Sequence, residues 1–212
     1  MKALILLGGD APPLPLLREQ LAWADRVICA DGGAGVMDAI GAHPDVLLGD
    51  MDSIQPGILE RWQAAGVDTL CSPAEKDYTD GQLALDWAME HGATEIRMLG
   101  GMGGTLDHML GNVALALRAA RRGVACALLD GHSRAWAATG KTSIEGRPGD
   151  IVSLLPLAGD ASVRYLHGLQ YGTWEPLALP ADMPIGARNM LTDSPAQIDI
   201  EGWVLVVVVS AA

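Results

Sequence analysis

The residues of this chain that can do chemistry are concentrated between positions 76 and 112, in KDYTDGQLALDWAMEHGATEIRMLGGMGGTLDHMLGN. Asp77, Asp80 and Asp107 lie there with a lysine, a threonine, a histidine and a run of glycines, where predicted strands give way to helices. Chains bury aspartate reluctantly, so aspartates that converge on strand ends require a cation or hydrogen bonds. The chemistry that this pattern predicts is an acidic metal site for a polyphosphate.

A second acidic group follows the third predicted strand, at Asp50 and Asp52 in the sequence GDMDS. Residues two apart in an extended segment point to the same side, so both carboxylates can bind one ion. Two unpaired carboxylates that close would repel each other, and Mg²⁺ bound with phosphate oxygens removes that repulsion. Asp10 and Asp31 also follow predicted strands, and for each the alternative is a turn or cap residue.

Other residues of the stretch have structural alternatives. Thr79 begins the sequence TDGQ, which fits a capping box and favours an N-cap over a ligand. Lys76 alone would be a solvated charge, and His108 alone a structural histidine. The glycines at 100–104 either serve tight turns or present backbone N–H groups to a phosphate.

Two common nucleotide-binding signatures do not fit. Residues 101–106, GMGGTL, begin like a dinucleotide fingerprint, but Leu106 occupies its third small position. Residues 135–142, AWAATGKT, resemble a P-loop but have Ala135 at its first glycine and lie in a predicted β region. No CxxC, HExxH or GxSxG motif indicates zinc or serine-hydrolase chemistry.

Strands and helices alternate over the first 130 residues. Apolar runs closed by Gly or Asp predict strands at residues 3–7, 26–30, 45–48, 68–71, 96–99 and 124–129. The last helix between them has an apolar stripe at Leu106, Leu110, Val113 and Leu117. This alternation predicts a mostly parallel sheet covered on both faces, with the aspartates at the carboxyl ends of its strands. We call that side of the sheet the carboxyl edge.

Helical periodicity disappears after residue 130. Short apolar runs at 151–155, 162–166 and 203–209 are separated by Gly, Pro and Asp. We therefore predict an α/β protein: a mostly parallel three-layer α/β domain at residues 1–130, followed by a smaller antiparallel β-sandwich domain at residues 131–212.

The formal net charge of −12 argues against an extended surface for nucleic acid or anionic membranes. Cys29, Cys71 and Cys126 fall in predicted strands without CxxC spacing, which is typical of buried, reduced thiols. The apolar runs at 3–7 and 203–209 are too short for a signal segment or a membrane span, so we expect a cytoplasmic protein.

Taken together, these residues resemble the thiamine pyrophosphokinase (thiamine diphosphokinase) family. The similar segments, in the family's order and spacing, are ADGGA at 30–34, PD at 44–45, GDMDS at 49–53, KDYTD at 76–80 and GGTLDH at 103–108. They cover most of residues 1–130. A weaker similarity continues with GLQY at 168–171 and GARN at 186–189.

The resemblance implies a homodimer that transfers a pyrophosphoryl group from ATP to the hydroxyl of thiamine, giving thiamine diphosphate and AMP. It implies that Mg²⁺ is bound by Asp50, Asp52 and Asp80. The implied catalytic residues are Asp31, Lys76, Asp77, Asp107 and His108. The residues expected to contact ATP or thiamine are Gly32, Gly33, Thr79, Gly103, Gly104 and Asn189.

The chain departs from the family pattern at Gly35, Met51, Thr105 and Arg188. Thr105 replaces a common arginine and removes a phosphate contact. Arg188 replaces a common serine, and its charge would repel the cationic thiazolium of thiamine. Two alternatives therefore stay open, namely transfer to another hydroxymethyl heterocycle such as a pterin, and non-catalytic binding of nucleotide or thiamine. The proton acceptor is Asp77 or Asp107.

Overall fold

The computed structural model describes residues 1–52, 54, 57–73 and 77–211. The chain forms two compact units, Met1–Gly131 and His132–Ala212. None of the described helices is both long and apolar enough to cross a membrane.

The first unit alternates strands and helices. Its described strands are β1 (Lys2–Leu6), β2 (Arg26–Ala30), β3 (Val46–Gly49), β4 (Asp68–Cys71), β5 (Glu95–Leu99) and β6 (Ala125–Leu129). Its described helices are α1 (Leu14–Trp23), α2 (Gly33–Ala39), α3 (Ile58–Ala64), α4 (Asp80–Glu90) and α5 (Leu106–Arg121). The strands pair in the order β6-β5-β1-β2-β3-β4, and every pair is parallel. The predicted parallel sheet is confirmed.

The burial of the strands follows their position in this order. Ala3, Leu4 and Ile5 of the inner strand β1 are completely buried, as expected for a parallel strand covered on both faces. The edge strand β4 is largely exposed and ends at Cys71. Cys71 is exposed and Cys29 is buried, so the prediction of buried thiols is wrong for Cys71. The composition of a strand does not predict whether it lies at the edge or in the interior of a sheet.

The apolar stripe predicted for α5 is wrong in its first half. Leu106 is 67% exposed and Leu110 is 59% exposed. The buried residues of this helix are Leu115, Ala116 and Ala119, in its second half. Helical spacing predicts which residues share a face, but it does not predict how much of that face the neighbouring β6 and α4 cover.

The second unit is an antiparallel β structure. Its described strands are β7 (Ser133–Ile144), β8 (Ile151–His167), β9 (Leu177–Leu179), β10 (Asn189–Met190) and β11 (Ala196–Val209). β11 lies between β7 and β8, and β9 and β10 pair with β8. With the first unit it gives the predicted order of an α/β domain followed by a β-sandwich.

Two sequence patterns of this second unit have clear outcomes. The apolar runs at 151–155 and 162–166, predicted as separate strands, belong to the single strand β8. The chain bends between them, where Ala158 and Gly159 have φ of 60° and 114°. The P-loop-like residues 135–142 lie within β7, so they do not form a phosphate-binding loop.

Candidate active site

Two contacts between backbones bring together the loops that follow β1, β2 and β5. A Cβ atom at Gly8 would lie 3.0 Å from Cα of Gly32. A Cβ atom at Gly9 would lie 2.2 Å from the carbonyl oxygen of Gly100. Only glycine allows backbones to approach this closely, so these glycines place three loops side by side at the carboxyl edge.

Gly33, predicted to contact the nucleotide, also has a structural reason to be glycine. A Cβ atom there would lie 2.1 Å from the carbonyl oxygen of Leu6, at the end of β1. Gly103 is similar: its φ is 114°, and a Cβ atom would lie 2.3 Å from Oδ2 of Asp10. Gly104 differs, because no described atom lies within 4 Å of its Cβ position.

Three carboxylates converge at the carboxyl edge beside these loops. Asp31, Asp50 and Asp52 each offer a carboxylate oxygen, and the three oxygens lie within 4.8 Å of one another. Asp31 directly follows β2 and donates its backbone N–H to Leu48 of the neighbouring β3 at 2.8 Å. We call these three residues the acidic cluster.

The backbone around the acidic cluster is adapted to this convergence. Asp31 and Met51 have φ of 41° and 68°, in the left-handed region that turns the chain sharply after each strand. Gly49 has φ of 144°, and a Cβ atom there would lie 3.0 Å from Cβ of Asp31. Asp50 Oδ1 accepts a hydrogen bond from the backbone N–H of Asp52 at 3.1 Å.

The acidic cluster fits a divalent cation. Oδ1 of Asp31 is buried and has no hydrogen-bond partner in the described part of the chain. Among the described residues, no arginine or lysine forms an ion pair with Asp31 or Asp50. A buried polar atom left unpaired costs about 1–3 kcal/mol, which coordination of a cation would offset. Carboxylate oxygens are the ligands that Mg²⁺ prefers.

The acidic cluster differs in one member from the set inferred by resemblance. It contains Asp31, which was assigned to catalysis, beside Asp50 and Asp52, which were assigned to the metal. Asp80, the other assigned metal ligand, lies in the first turn of α4 and is half-buried. A carboxylate in the first turn is stabilised by the partial positive charge of the helix N-terminus.

Thr79 is the N-cap of α4, as predicted. Its Oγ1 accepts a hydrogen bond from the backbone N–H of Gln82 at 3.1 Å. The described hydrogen bonds do not include the reciprocal half of the capping box, in which Gln82 Oε1 would accept from the Thr79 backbone N–H. The Gln82 side chain instead donates from Nε2 to Asp86 Oδ2 at 3.5 Å. The Thr79 hydroxyl proton remains a possible donor to a ligand, since a hydroxyl can accept and donate at once.

Asp107 and His108 are exposed in the first turn of α5. Hydrogen bonds from the Thr105 side chain and then from the backbone N–H of His108 lower the pKa of Asp107 below its ordinary value. A carboxylate with a lowered pKa is a weaker proton acceptor. Asp77 is exposed before α4, and Lys76 lies outside the described residues.

Asn189, the predicted contact in the second unit, uses its amide within the protein. Its Oδ1 accepts hydrogen bonds from the backbone N–H groups of Tyr171 at 3.0 Å and Met190 at 2.9 Å. Its Nδ2 donates to the carbonyl oxygen of Tyr171 at 3.0 Å. Asn189 therefore fixes the loop that contains Tyr171 to β10. Arg188 beside it is exposed, with φ of 59°.

One residue that binds the glycine-rich loop was missed by sequence reasoning. Asn112 of α5 donates a hydrogen bond from Nδ2 to the carbonyl oxygen of Gly101 at 3.0 Å. The signal in the sequence was weak, namely an amide placed just behind a glycine-rich loop. A side chain that binds a backbone carbonyl has no required partner residue, so no spacing rule identifies it.

Comparison with known proteins matches the part of the chain that carries this site. Residues 17–128 match the sequence model of a family described as thiamin pyrophosphokinase, catalytic domain. The chain is 31% identical over 174 residues to thiamine pyrophosphokinase of Bacillus subtilis, covering 79% of this chain and 79% of that protein. The chain belongs to the thiamin pyrophosphokinase family.

Other members of the thiamin pyrophosphokinase family agree with this assignment. The crystal structure of thiamine pyrophosphokinase from Bacillus subtilis superposes with a TM-score of 0.86 at 25% identity, covering 100% of both chains. Thiamine pyrophosphokinase 1 of Oryza sativa subsp. japonica is 31% identical over 138 residues, which cover 55% of this chain and 51% of the rice protein. The resemblance inferred from the sequence is confirmed.

Within the thiamin pyrophosphokinase family match lie all the predicted site residues of the first unit, from Asp31 to His108. Asn189 alone among the predicted site residues lies beyond residues 17–128. The acidic cluster and the loops that follow β2 and β5 therefore belong to the part of the chain that the family description calls the catalytic domain.

Proposed function

We propose that this protein is an ATP-dependent thiamine pyrophosphokinase, which transfers the pyrophosphoryl group of ATP to the hydroxyl of thiamine to give thiamine diphosphate and AMP. Membership of the family supports this reaction. The single observation that carries it is the acidic cluster, whose buried Asp31 oxygen has no described partner. The family match gives no support to a pterin substrate or to a non-catalytic sensor.

Mg²⁺ is the proposed cofactor, with ATP as co-substrate. The acidic cluster, Asp31, Asp50 and Asp52, supplies its proposed ligands. Asp80, in the first turn of α4, is proposed as a further ligand. When bound there, Mg²⁺ would neutralise negative charge on the phosphate oxygens of ATP. The role of the protein is to fix these carboxylates at the carboxyl edge before ATP arrives.

The phosphates of ATP are proposed to contact the loops that follow β2 and β5. Gly32, Gly33, Gly103 and Gly104 are proposed to donate backbone N–H groups to phosphate oxygens. The Thr79 hydroxyl can donate to a phosphate oxygen while it caps α4. Lys76 and His108 are proposed to interact with the same phosphates.

The reaction is an in-line displacement at the β-phosphorus of ATP. The thiamine oxygen forms a bond to this phosphorus, the bond to the bridging oxygen of AMP breaks, and AMP leaves with that oxygen. The hydroxyl proton passes to a carboxylate. Asp77 or Asp107 is the proposed acceptor, and hydrogen bonds from the Thr105 side chain and the His108 backbone lower the pKa of Asp107.

Thiamine binding and dimerisation are proposed for the second unit, as the sequence implied. Trp174 is 77% exposed there, and its ring centroid lies 5.0 Å from that of Tyr165. Aromatic faces attract cations such as a thiazolium. Sedimentation of the purified protein tests the homodimer, since a chain that stays monomeric at assay concentration contradicts it.

The reaction is tested by incubating the protein with Mg²⁺, ATP and thiamine and separating the products by chromatography. We expect thiamine diphosphate and AMP in equal amounts. Asp50→Asn should abolish turnover because it removes a metal ligand, and Asp68→Asn should not. Asp68 is an exposed carboxylate at the start of β4 and serves as the matched control. An Asp50→Asn variant that retains most of its activity would exclude the metal site.

A further inference from the structure

Asn112 connects α5 to the loop that precedes the same helix. Its Nδ2 donates to the carbonyl oxygen of Gly101 at 3.0 Å, and the bond is partly buried. The helix begins at Leu106, so this side chain extends from the second turn back beneath residues 100–104. A Cβ atom at Gly101 would lie 3.4 Å from Asn112 Nδ2, which places the amide directly against the loop.

The same amide also lies against the first turn of α4. A Cβ atom at Gly81 would lie 3.6 Å from Asn112 Oδ1 and 3.3 Å from Cδ2 of Leu7. Gly81 is the second residue of α4, next to Asp80 and two residues after the N-cap Thr79. One side chain therefore bonds the glycine-rich loop and lies beside the start of α4.

The loop at 100–104 needs such an anchor because of its composition. Gly100, Gly103 and Gly104 have φ of 73°, 114° and 74°, in a region that is readily accessible only to glycine. Glycines lose more conformational freedom on ordering than other residues, so an unanchored loop would occupy many conformations. The hydrogen bond to Gly101 fixes the orientation of one peptide group in this loop.

We propose that Asn112 is a positioning residue for pyrophosphoryl transfer, setting the place of the glycine-rich loop relative to Thr79 and Asp80. This inference rests on the proposed function, in which both segments contact the phosphates of ATP. Catalysis of phosphoryl transfer depends mainly on positioning, so a displaced loop lowers turnover without loss of any group that touches the substrate.

The contacts of α5 separate this role from ordinary stability. The helix is anchored in the core by its second half, at Leu115, Ala116 and Ala119. The Asn112 bond lies closer to the helix start, under the loop. Its loss should therefore change the loop more than the packing of the helix.

The test compares Asn112→Ala and Asn112→Asp with wild type by steady-state kinetics and thermal unfolding. We expect kcat to fall by about 10-fold to 100-fold. We expect KM for Mg·ATP to rise and KM for thiamine to stay within about twofold, since only one hydrogen bond near the phosphates is lost. Asn112→Ser, a smaller polar change, replaces the alanine variant if that variant does not fold.

Two matched controls lie on the same helix. Gly111→Ala adds a methyl group where no described atom lies within 4 Å, so its kinetics should match wild type. Its unfolding temperature should rise slightly, because alanine favours a helix more than glycine does. Ala119→Gly removes a buried methyl group near the end of the helix. It should lower the unfolding temperature while the folded fraction keeps its kcat. Asn112 variants that behave like Ala119→Gly, with activity lost only in proportion to unfolding, would overturn the inference.

A binding measurement separates this inference from the proposed function. Titration calorimetry of Mg·ATP in the absence of thiamine should give a Kd about 10-fold higher for Asn112→Ala than for wild type. If wild type makes no thiamine diphosphate, the proposed function fails, and the calorimetric comparison still decides the role of Asn112. Equal Kd values for the two proteins would reject it.

Discussion

The Asp86 carboxylate on α4 accepts two hydrogen bonds from the guanidinium of Arg118 on α5, both at 2.9 Å. Arg122 of α5 adds a third bond to Asp86 at 3.0 Å. The first turns of these two helices contain Asp80 and Asp107. These bonds therefore connect the middle of α4 to α5. The N-termini of both helices lie in the candidate active site.

We predict that Asp86→Asn lowers the free energy of unfolding by about 1–2 kcal/mol at pH 7, because it breaks a partly buried bidentate ion pair. Burial alone would raise the pKa of Asp86, but hydrogen bonding and charge from Arg118, with Gln82 and Arg122, lower it below its ordinary value. A carboxyl whose pKa is lowered in the folded protein stabilises it above the ordinary pKa of about 3.9. This contribution is lost as pH falls through the folded pKa.

Urea unfolding of wild type and Asp86→Asn at pH 7 and pH 3 tests whether the stabilisation by Asp86 decreases as the pH falls. The difference between the two proteins should shrink at pH 3, below the ordinary pKa, because there the carboxyl is protonated in the unfolded chain and stability falls with pH. A difference that stays constant with pH would mean that the Asp86 charge contributes nothing to stability.

We predict that Asp31→Asn stabilises the metal-free protein, by about 1 kcal/mol, because it removes one of three converging negative charges. Addition of Mg²⁺ and ATP should raise the unfolding temperature of wild type and leave that of the variant nearly unchanged. Thermal unfolding with and without Mg²⁺ and ATP measures both effects. Asp68→Asn removes an equal charge outside the acidic cluster and should respond to Mg²⁺ and ATP as wild type does.

Gly33 and Gly35 of α2 provide a matched pair of substitutions. Gly33→Ala places a Cβ atom 2.1 Å from the carbonyl oxygen of Leu6, whereas no described atom lies within 4 Å of a Cβ atom at Gly35. Gly33→Ala should lower the free energy of unfolding by about 1–3 kcal/mol, and Gly35→Ala should raise it by about 0.5–1 kcal/mol. Chemical denaturation that ranks the two variants in the opposite order would contradict the loop packing.

The three cysteines should react at very different rates with a thiol reagent. Burial raises the pKa of the Cys126 thiol to about 12 and raises that of Cys29 far above its ordinary value. Cys71 is exposed at the end of β4. We expect the native protein to react rapidly at one thiol and the unfolded protein at three. A Cys71→Ser variant that still shows a rapid thiol would contradict this assignment.

Labelling of Cys71 also reports on the neighbouring metal site. Cys71 of β4 pairs with Gly49, the last residue of β3, and Gly49 directly precedes Asp50 in the sequence. We expect bound Mg·ATP to slow the reaction of this thiol in wild type and to have no effect in Asp50→Asn.

The acidic cluster could be predicted from the sequence because the side-chain chemistry and the order of parallel strands indicate the same place. Parallel strands bring their carboxyl ends to one edge, so Asp31, Asp50 and Asp52 were expected together, and the structure groups them. The apolar stripe predicted for α5 was wrong at Leu106 and Leu110. Periodicity identifies which residues share a helix face, but it does not show which part of that face other elements bury.

Hydrogen bonds between polar side chains and backbone groups were not predicted. The amide of Asn189 binds the backbone of Tyr171, and the contact of Asn189 with ATP or thiamine stays a prediction. Asn112 was not singled out at all, although it binds the Gly101 carbonyl. Every residue has backbone N–H or carbonyl groups. A side chain that bonds to the backbone therefore requires no particular residue type as its partner, and no sequence pattern identifies the bond.

The contacts of Gly9 with Gly100 and of Gly33 with Leu6 restrict how this enzyme family member can be altered. Any replacement at Gly9 or Gly33 would force neighbouring main chains apart before it met a nucleotide. Gly35 has open surroundings among the described atoms, so a new side chain for a different phosphate donor or acceptor has room there. Gly104 also has space around it, but its φ of 74° strains any residue other than glycine. Selection for altered substrates should therefore accumulate changes at Gly35 and leave Gly9 and Gly33 untouched.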